Sequence, residues 1–267
     1  MLKSLNHLWR IFATGLCFFC FGFGGVLLTF FFFPLQKLFI KNLIEQKKSA
    51  RKTVHYTFKF FIGLMAFLGV FRFDLAHAKA LAKLQGQLVL ANHPSLIDVV
   101  VLISIIPNAD CVVKAHLFRN PFLRGVVKNT GYISNDDPEE LLADCRRSLA
   151  AGNNLIVFPE GTRTSIGKKP KFQRGAANIA LRCLTQYKPS EGMDVKNNIS
   201  TVILRVEPTT LTRSEPWYKV PKHKALFSAV LTSNSLSLPV MNKENISKQV
   251  REFNQTLECY FNKELKF

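Results

Sequence analysis

The sequence predicts an α/β protein with a mixed, largely parallel sheet flanked by helices, preceded by an N-terminal membrane-embedded helical segment. From Phe73 onward, short apolar runs typical of buried strands alternate with longer stretches of helical periodicity. Before them, the stretch from Ile11 to Phe33 contains no charged residue and is long enough to lie in a bilayer. We therefore expect membrane-anchoring helices over residues 1–72 and an α/β domain over residues 73–267.

The strands of the α/β domain are predicted from compact apolar runs that end at turn-forming residues. The run ending at Ala91, for example, is followed directly by Asn, His and Pro. The predicted strands are Gln87–Ala91, Asp110–Lys114, Tyr132–Ser134, Leu155–Phe158, Thr201–Val206 and Ala225–Leu231.

Helices are predicted between these strands, and Asp137 marks the clearest helix start. Asp137 is a typical N-cap, Pro138 suits the first helical position, and two glutamates follow in the first turn. The predicted helices are Ser95–Ile106, Pro121–Asn129, Asp137–Ala151, Gln173–Thr185 and Ile246–Leu265. The polar, aperiodic segment Lys188–Asn198 is predicted to be an exposed loop.

The N-terminal segment favours a location at the inner (cytoplasmic) membrane, with the α/β domain facing the cytoplasm. As a helix, Ile11 to Phe33 would be about 34 Å long, enough to cross roughly 30 Å of hydrocarbon. The run is too long for a typical signal peptide. Six basic residues follow and are expected near anionic headgroups, and the second apolar run, Phe58 to Phe71, is predicted to be interfacial or re-entrant. The pattern leaves open whether the first helix spans or re-enters the membrane.

The composition and net charge indicate which kinds of partner the protein is expected to bind. The chain is 48% hydrophobic and carries a net charge of +18, which indicates anionic partners such as a lipid leaflet or an acidic carrier protein. Nucleic acid is not expected, because the basic residues are scattered among apolar runs. The six cysteines show no repeated spacing and no nearby histidine set, so we expect reduced thiols and no metal site. The oligomeric state stays open.

The loop from Asn92 to Asp98 follows a predicted buried strand, where ligands bind in parallel sheets. If Pro94 opens the helix, His93 lies outside it and Asp98 lies near its start, so the two side chains can meet. Asp98 would then fix the tautomer of His93 and leave the other ring nitrogen free as a base. Ser95 has no nucleophile elbow around it.

A second loop, Pro159 to Arg163, follows another predicted strand. Gly161 allows close backbone approach to a ligand, and Arg163 suits bidentate binding of a phosphate or carboxylate. The basic residues beyond it are Lys168, Lys169, Lys171 and Arg174. The two loops would lie at the same edge of the sheet.

Together, His93-x4-Asp98 and Phe158-Pro159-Glu160-Gly161-Thr162-Arg163 resemble the conserved blocks of the lysophospholipid acyltransferase superfamily, the relatives of 1-acylglycerol-3-phosphate acyltransferases. Further matching segments follow the family's order: Lys114 with Leu117 and Phe118, then Gly131–Ile133, Phe172–Gly175 and Val206–Pro208. The resemblance covers residues 88–208, and membrane-seated N-terminal helices are also similar to the family.

The resemblance implies a catalytic pair and an acceptor pocket. His93 would deprotonate an acceptor hydroxyl, which attacks an acyl thioester on acyl-carrier protein or coenzyme A, and Asp98 would orient His93. The substrate-binding residues implied are Glu160, Gly161, Thr162, Arg163, Lys114 and Arg174. No cofactor beyond the acyl donor and no metal are implied.

One departure from the family's pattern leaves the identity of the acceptor lipid open. In phosphatidate-making members the second block ends with an Arg, whereas here Gly131–Ile133 runs into Ser134, Asn135, Asp136 and Asp137. The acceptor is then either a lysophospholipid such as 1-acylglycerol-3-phosphate or another lipid, such as a lyso-ornithine lipid or a glycolipid. A non-catalytic lipid-binding protein of the same fold and a thioesterase are the remaining alternatives.

Overall fold

The structure is a computed structural model that describes residues 2–165, 167–184, 198–213, 215–232, 236, 238–239 and 245–266. The helices are α1 (Leu2–Leu27), α2 (Phe33–Phe39), α3 (Leu43–Phe67), α4 (Ala78–Leu81), α5 (Asp98–Ile105), α6 (Arg124–Thr130), α7 (Pro138–Ala150), α8 (Arg174–Ile179) and α9 (Ile246–Leu265). The strands are β1 (Phe71–Asp74), β2 (Leu88–Ala91), β3 (Ala109–Val113), β4 (Ile133–Ser134), β5 (Asn154–Val157), β6 (Ile199–Glu207) and β7 (Ala225–Leu231). Short π-helical segments, Leu28–Phe32 and Ala180–Leu184, join α1 to α2 and extend α8.

The strands in the described part of the chain form one sheet in the order β1-β7-β6-β2-β5-β3-β4. Only the β6–β7 pair is antiparallel within these residues. The predicted mixed, largely parallel sheet is therefore confirmed. Central strands β2 and β5 are buried throughout, as expected for strands covered on both faces. Leu90 pairs with Val157, so the loops that follow these two strands leave the same edge of the sheet side by side.

Most predicted elements are present with small shifts of their ends, and β7 and α9 have the predicted bounds. Helix α5 begins at Asp98 rather than Ser95, because residues 94–97 form a turn that is closed by a hydrogen bond from Ser95 N to the Asp98 carboxylate. Strand β1, which extends the sheet beyond β7, was not predicted from the sequence. In the predicted loop Lys188–Asn198, all residues except Asn198 lie outside the described residues.

The N-terminal helices pack against the sheet domain along one side. Buried Arg10 donates hydrogen bonds to the carbonyls of Gly69, Val70 and Pro221. Gly25 lies so close to Phe122 that a Cβ there would be 2.5 Å from the Phe122 carbonyl oxygen. These contacts put part of α1 in the same core cluster as the sheet. The predicted boundary at residue 72 therefore separates two segments that share a core, and it remains a prediction.

The other side of the N-terminal helices is exposed and aromatic. Its large exposed side chains include Phe12, Phe19, Phe23, Phe30, Phe31 and Phe39. Among the described residues, the helical run Leu5–Phe39 is long and apolar enough to cross a membrane, by length and composition. Exposed aromatic area of this extent marks a surface that meets lipid or another apolar partner.

A buried polar network ties α3 to the sheet. Arg51 donates hydrogen bonds to Asp110 Oδ1 at 2.6 Å and to Asn108 Oδ1 at 2.9 Å. The other carboxylate oxygen of Asp110 accepts hydrogen bonds from Ser148 on α7 and from Asn153. The Arg51 and Asp110 side chains are only 7% and 4% exposed, so solvent screens their attraction little.

Asp110→Ala is expected to lower the free energy of unfolding by about 3–5 kcal/mol, because it leaves the Arg51 charge buried without its partner. The double variant Arg51→Met/Asp110→Leu should lose much less, since it removes both charges. Chemical denaturation in detergent measures both changes. Lys48→Ala, in an exposed pair with Glu45, is the matched control and should change stability by about 0.5 kcal/mol or less. An Asp110→Ala midpoint equal to that of Lys48→Ala would contradict a stabilising role for the network.

Candidate active site

The loop after β2 brings His93 and Asp98 into direct contact. His93 Nδ1 lies 2.7 Å from Asp98 Oδ2, and the same oxygen accepts a hydrogen bond of 2.8 Å from Ser95 N. The Asp98 side chain is fully buried at the first position of α5, whereas the His93 side chain is 17% exposed. With Nδ1 protonated, the ring donates to the carboxylate and Nε2 keeps its lone pair, the arrangement of an oriented general base.

Burial raises the pKa of Asp98, and the hydrogen bonds from His93 and Ser95, together with the charge of Arg163, act in the opposite direction. Its second oxygen, Oδ1, is buried and has no hydrogen-bond partner among the described residues. The ionised carboxylate therefore depends on His93 for stabilisation. A positive charge that develops on the His93 ring would in turn be stabilised by this carboxylate at short range.

The backbone of His93 is fixed by the loop after β5. Glu160 Oε1 accepts a hydrogen bond of 2.7 Å from His93 N, and Glu160 Oε2 accepts one of 2.6 Å from Thr164 Oγ1. Thr164 N donates to the His93 carbonyl at 2.8 Å. The Phe158 ring stacks on the imidazole with centroids 4.3 Å apart. These contacts hold the base in place before any substrate binds.

Asn92 is a site residue that the sequence reasoning missed. Its side-chain oxygen accepts from Leu204 N at 2.7 Å, and its side-chain nitrogen donates to the Leu204 carbonyl at 2.8 Å. The buried amide thus continues the pairing of β2 with β6 and fixes where the His93 loop starts. The only signal available in the sequence was a polar residue between a buried strand and the candidate base.

A cavity of about 620 Å³ opens at His93, within the usual range of roughly 300–1,000 Å³ for ligand sites. Its apolar walls come mainly from α1, α3, α5, α6 and β3, and they include Cys17, Phe18, Phe21, Phe61, Val100, Cys111 and Val126, together with Tyr132 before β4. Its polar residues are His93, Lys114, His116, Asn135, Thr162, Arg163 and Arg213. The cavity can therefore take a ligand with a long apolar part and a polar, anionic end.

The predicted substrate-binding residues are not all in the same place. Lys114, Gly161, Thr162 and Arg163 line the cavity. Glu160 is buried, and its carboxylate contacts the His93 backbone and Thr164 instead of forming part of the cavity wall. Arg174 is exposed at the start of α8 and does not line the cavity. The roles assigned to all of these residues remain predictions.

Asp136 and Asp137, the acidic residues that follow the second block, lie outside the cavity lining. Asp137 Oδ1 caps α7 by accepting hydrogen bonds from Glu139 N and Glu140 N, both at 2.8 Å. Asp136 is exposed. Of this segment, Asn135 is the residue that lines the cavity. Neither carboxylate is therefore placed in the cavity wall, where it would repel an anionic acceptor.

Glu160→Ala is expected to lower kcat by roughly 10- to 100-fold with little change in the KM of the acceptor, because a positioned base is misplaced when its backbone support is lost. Steady-state kinetics separates this result from a pocket role, which would raise KM. Glu258→Ala removes a carboxylate that binds Phe172 N, outside the cavity lining, and serves as control. An unchanged kcat with a raised KM would favour the acceptor-pocket role of Glu160.

Within the described ranges, no group of three or more His, Cys, Asp or Glu side chains is placed to hold a metal ion. The fold and the site define an α/β protein in which a His–Asp pair at the carboxyl end of a parallel sheet meets the polar end of an apolar cavity. Such a protein can activate a hydroxyl group beside a long-chain ligand.

Comparisons with known proteins agree with this class. Residues 72–203 match the Acyltransferase family model. The 1-acyl-sn-glycerol-3-phosphate acyltransferase of Helicobacter pylori is 33% identical over 111 residues, which cover 39% of this chain and 47% of that protein. The chloroplastic 1-acyl-sn-glycerol-3-phosphate acyltransferase LPAT1 of Arabidopsis thaliana is 26% identical over 141 residues, covering 49% and 38% of the two chains. The matches thus span less than half the length of these curated relatives.

A solved structure shares the fold over almost the whole chain. The 1-acyl-sn-glycerophosphate acyltransferase PlsC of Thermotoga maritima superposes with a TM-score of 0.62 and 16% sequence identity, covering 99% of this chain and 98% of that one. The family model and the named relatives therefore confirm the resemblance to the lysophospholipid acyltransferase superfamily that the motifs indicated, and the solved structure shows the same fold.

Proposed function

We propose that the protein is a membrane-bound O-acyltransferase that transfers a fatty acyl group from an acyl thioester to the hydroxyl of 1-acylglycerol-3-phosphate. The observation that carries this proposal is the His93–Asp98 pair at the polar end of the apolar cavity of about 620 Å³. The cavity suits an acyl chain, and Lys114, Arg163 and Arg213 suit a phosphate. The named activities of the relatives favour the same acceptor.

In the proposed mechanism, His93 Nε2 takes the proton of the acceptor hydroxyl as the oxygen attacks the thioester carbonyl carbon. The new C–O bond forms, the C–S bond breaks, and the imidazolium returns the proton to the departing thiolate. The products are an ester and a free thiol. Asp98, bonded to Nδ1 throughout, stabilises the transient imidazolium.

The acyl donor is proposed to be acyl-carrier protein or acyl-coenzyme A, both of which are anionic and would suit a chain of net charge +18. The proposed location is the inner membrane, with the α/β domain facing the cytoplasm. The apolar run Leu5–Phe39 and its exposed aromatic side chains support a membrane location.

The test uses the full-length protein in vesicles with labelled acyl-carrier protein or acyl-coenzyme A, and mass spectrometry of the lipids formed. We expect lysophosphatidate to be acylated much faster than lysophosphatidylcholine or monoacylglycerol. Preferred acylation of one of the other acceptors would overturn the proposed acceptor. Release of free fatty acid without any acylated lipid would replace acyl transfer with thioester hydrolysis.

A further inference from the structure

The loop after β6 carries a second guanidinium to the mouth of the cavity. Arg163 Nη1 donates hydrogen bonds of 2.9 Å to the carbonyls of both Leu211 and Thr212, and Leu96 N donates to the Leu211 carbonyl at 3.1 Å. The next residue, Arg213, is exposed and lines the cavity together with Arg163 and His93. The site loops therefore fix the backbone from which Arg213 projects.

Arg163 and Arg213 are close enough for their charges to interact. The pKa of Arg163 is lowered first by burial and further by the positive charge of Arg213, while Asp98 acts in the opposite direction. Bringing two guanidinium groups together costs electrostatic free energy unless an anion lies between them. An arrangement of this kind at the end of an apolar cavity fits an anionic ligand group.

The carboxylates near this loop are already engaged. Asp98 is bonded to His93 and Ser95. Glu215 Oε2 accepts a hydrogen bond from Thr212 Oγ1 at 3.2 Å, and its Oε1 pairs with Lys219 at 2.8 Å. Across the described residues, Arg213 itself forms no hydrogen bond or ion pair. Its five N–H donors are therefore available to a ligand, and the guanidinium fork matches two oxygens of a phosphate.

We propose that Arg213 binds the phosphate of the acceptor lipid, together with Arg163, and so sets the preference for a phosphomonoester over zwitterionic and uncharged acceptors. The inference rests on the proposed function, since it assigns the headgroup site of the same reaction. Arg163 holds the loop through Nη1 and lines the cavity, while Arg213 supplies a complete, solvent-accessible fork. The acyl chain of the acceptor extends from this point into the apolar part of the cavity.

The experiment compares Arg213→Gln and Arg213→Lys with the wild type in full-length protein. Arg213→Gln should raise the KM for lysophosphatidate by roughly 10- to 100-fold, the loss expected for a charge-assisted hydrogen bond. Arg213→Lys should recover part of this loss, because it restores charge without the fork. The KM for the acyl donor and the turnover of monoacylglycerol should stay unchanged. Lys222→Gln removes an exposed charge of the same loop region outside the cavity lining and should behave as wild type.

A binding measurement separates this inference from the proposed function. Titration calorimetry with a short-chain, soluble lysophosphatidate and no acyl donor should show the same 10- to 100-fold weakening for Arg213→Gln. If lysophosphatidate binds in an Arg213-dependent way but no acyl group is transferred to it, the headgroup site is supported and the proposed reaction is refuted. Acyl transfer with a KM and Kd that Arg213→Gln leaves at wild-type values would overturn the inference and retain the reaction. A raised KM for the acyl donor alone would also overturn it, since Arg213 would then contact phosphates of the donor.

Discussion

His93→Ala is expected to reduce kcat/KM for acyl transfer by about 10²- to 10⁴-fold, the usual contribution of a general base. The reason is that no other described side chain shares its position, with one ring nitrogen bonded to Asp98 and the ring at the cavity. Lipid analysis after incubation with a labelled acyl donor measures the loss. Exposed His77→Ala, outside the cavity lining, is the matched control.

The His93→Ala protein should keep its fold and its association with vesicles, because the ring is partly exposed on a loop and the buried Asp98 carboxyl can take up a proton when it loses this partner. Retention of wild-type acylation by His93→Ala would refute the proposed base. Loss of activity in both His93→Ala and His77→Ala would point to a general effect of the substitutions instead.

Asp98→Asn is expected to reduce kcat by about 10²- to 10⁴-fold while leaving the fold at least as stable as the wild type near neutral pH. Asn cannot stabilise an imidazolium as a carboxylate does, so the base is weakened. Steady-state kinetics and a pH series of thermal denaturation on the same preparation measure the two effects. Exposed Asp136→Asn is the control and should change neither.

The retained stability expected for Asp98→Asn follows from the raised pKa of Asp98, which has burial as its largest cause. A carboxyl with a pKa raised in the folded state contributes stability below its unfolded pKa, and it loses that contribution as pH rises through the folded value. Ionised Asp98 therefore costs folding free energy near neutral pH, and Asn removes this cost. The stability advantage of Asp98→Asn should shrink as pH falls. A wild-type kcat, or an advantage that grows toward acid pH, would contradict this account.

The fold class was predicted correctly from the sequence because the central strands are continuous apolar runs that end at recognisable turns. The N-cap at Asp137 and the ends of β7 and α9 were predicted because local residue preferences decide them. Strand β1 was missed because Phe71 falls at the end of a longer apolar run, and only pairing with β7 makes it a strand. That pairing is a long-range contact and leaves no local pattern.

Part of the candidate site was also predicted, because several of its residues lie in local sequence motifs. His93, Asp98 and Arg163 lie in short motifs, and the parallel register of β2 and β5 brings those motifs together. Glu160 was predicted to form part of the acceptor pocket, whereas its contacts are with the His93 backbone and Thr164. Arg213 was not predicted at all, because it joins the site through the fold of the loop after β6, held by Arg163.

The close contact between α1 and the sheet domain has a consequence for how the protein can be divided. Cys17, Phe18 and Phe21 of α1 form part of the cavity wall, and Gly25 holds the helix directly against the backbone at Phe122. Cutting the chain at residue 72 would therefore open the side of the cavity as well as remove the apolar helix. Under the proposed function, attachment to lipid and enclosure of the substrate chain could not be separated by truncation, because α1 would serve both.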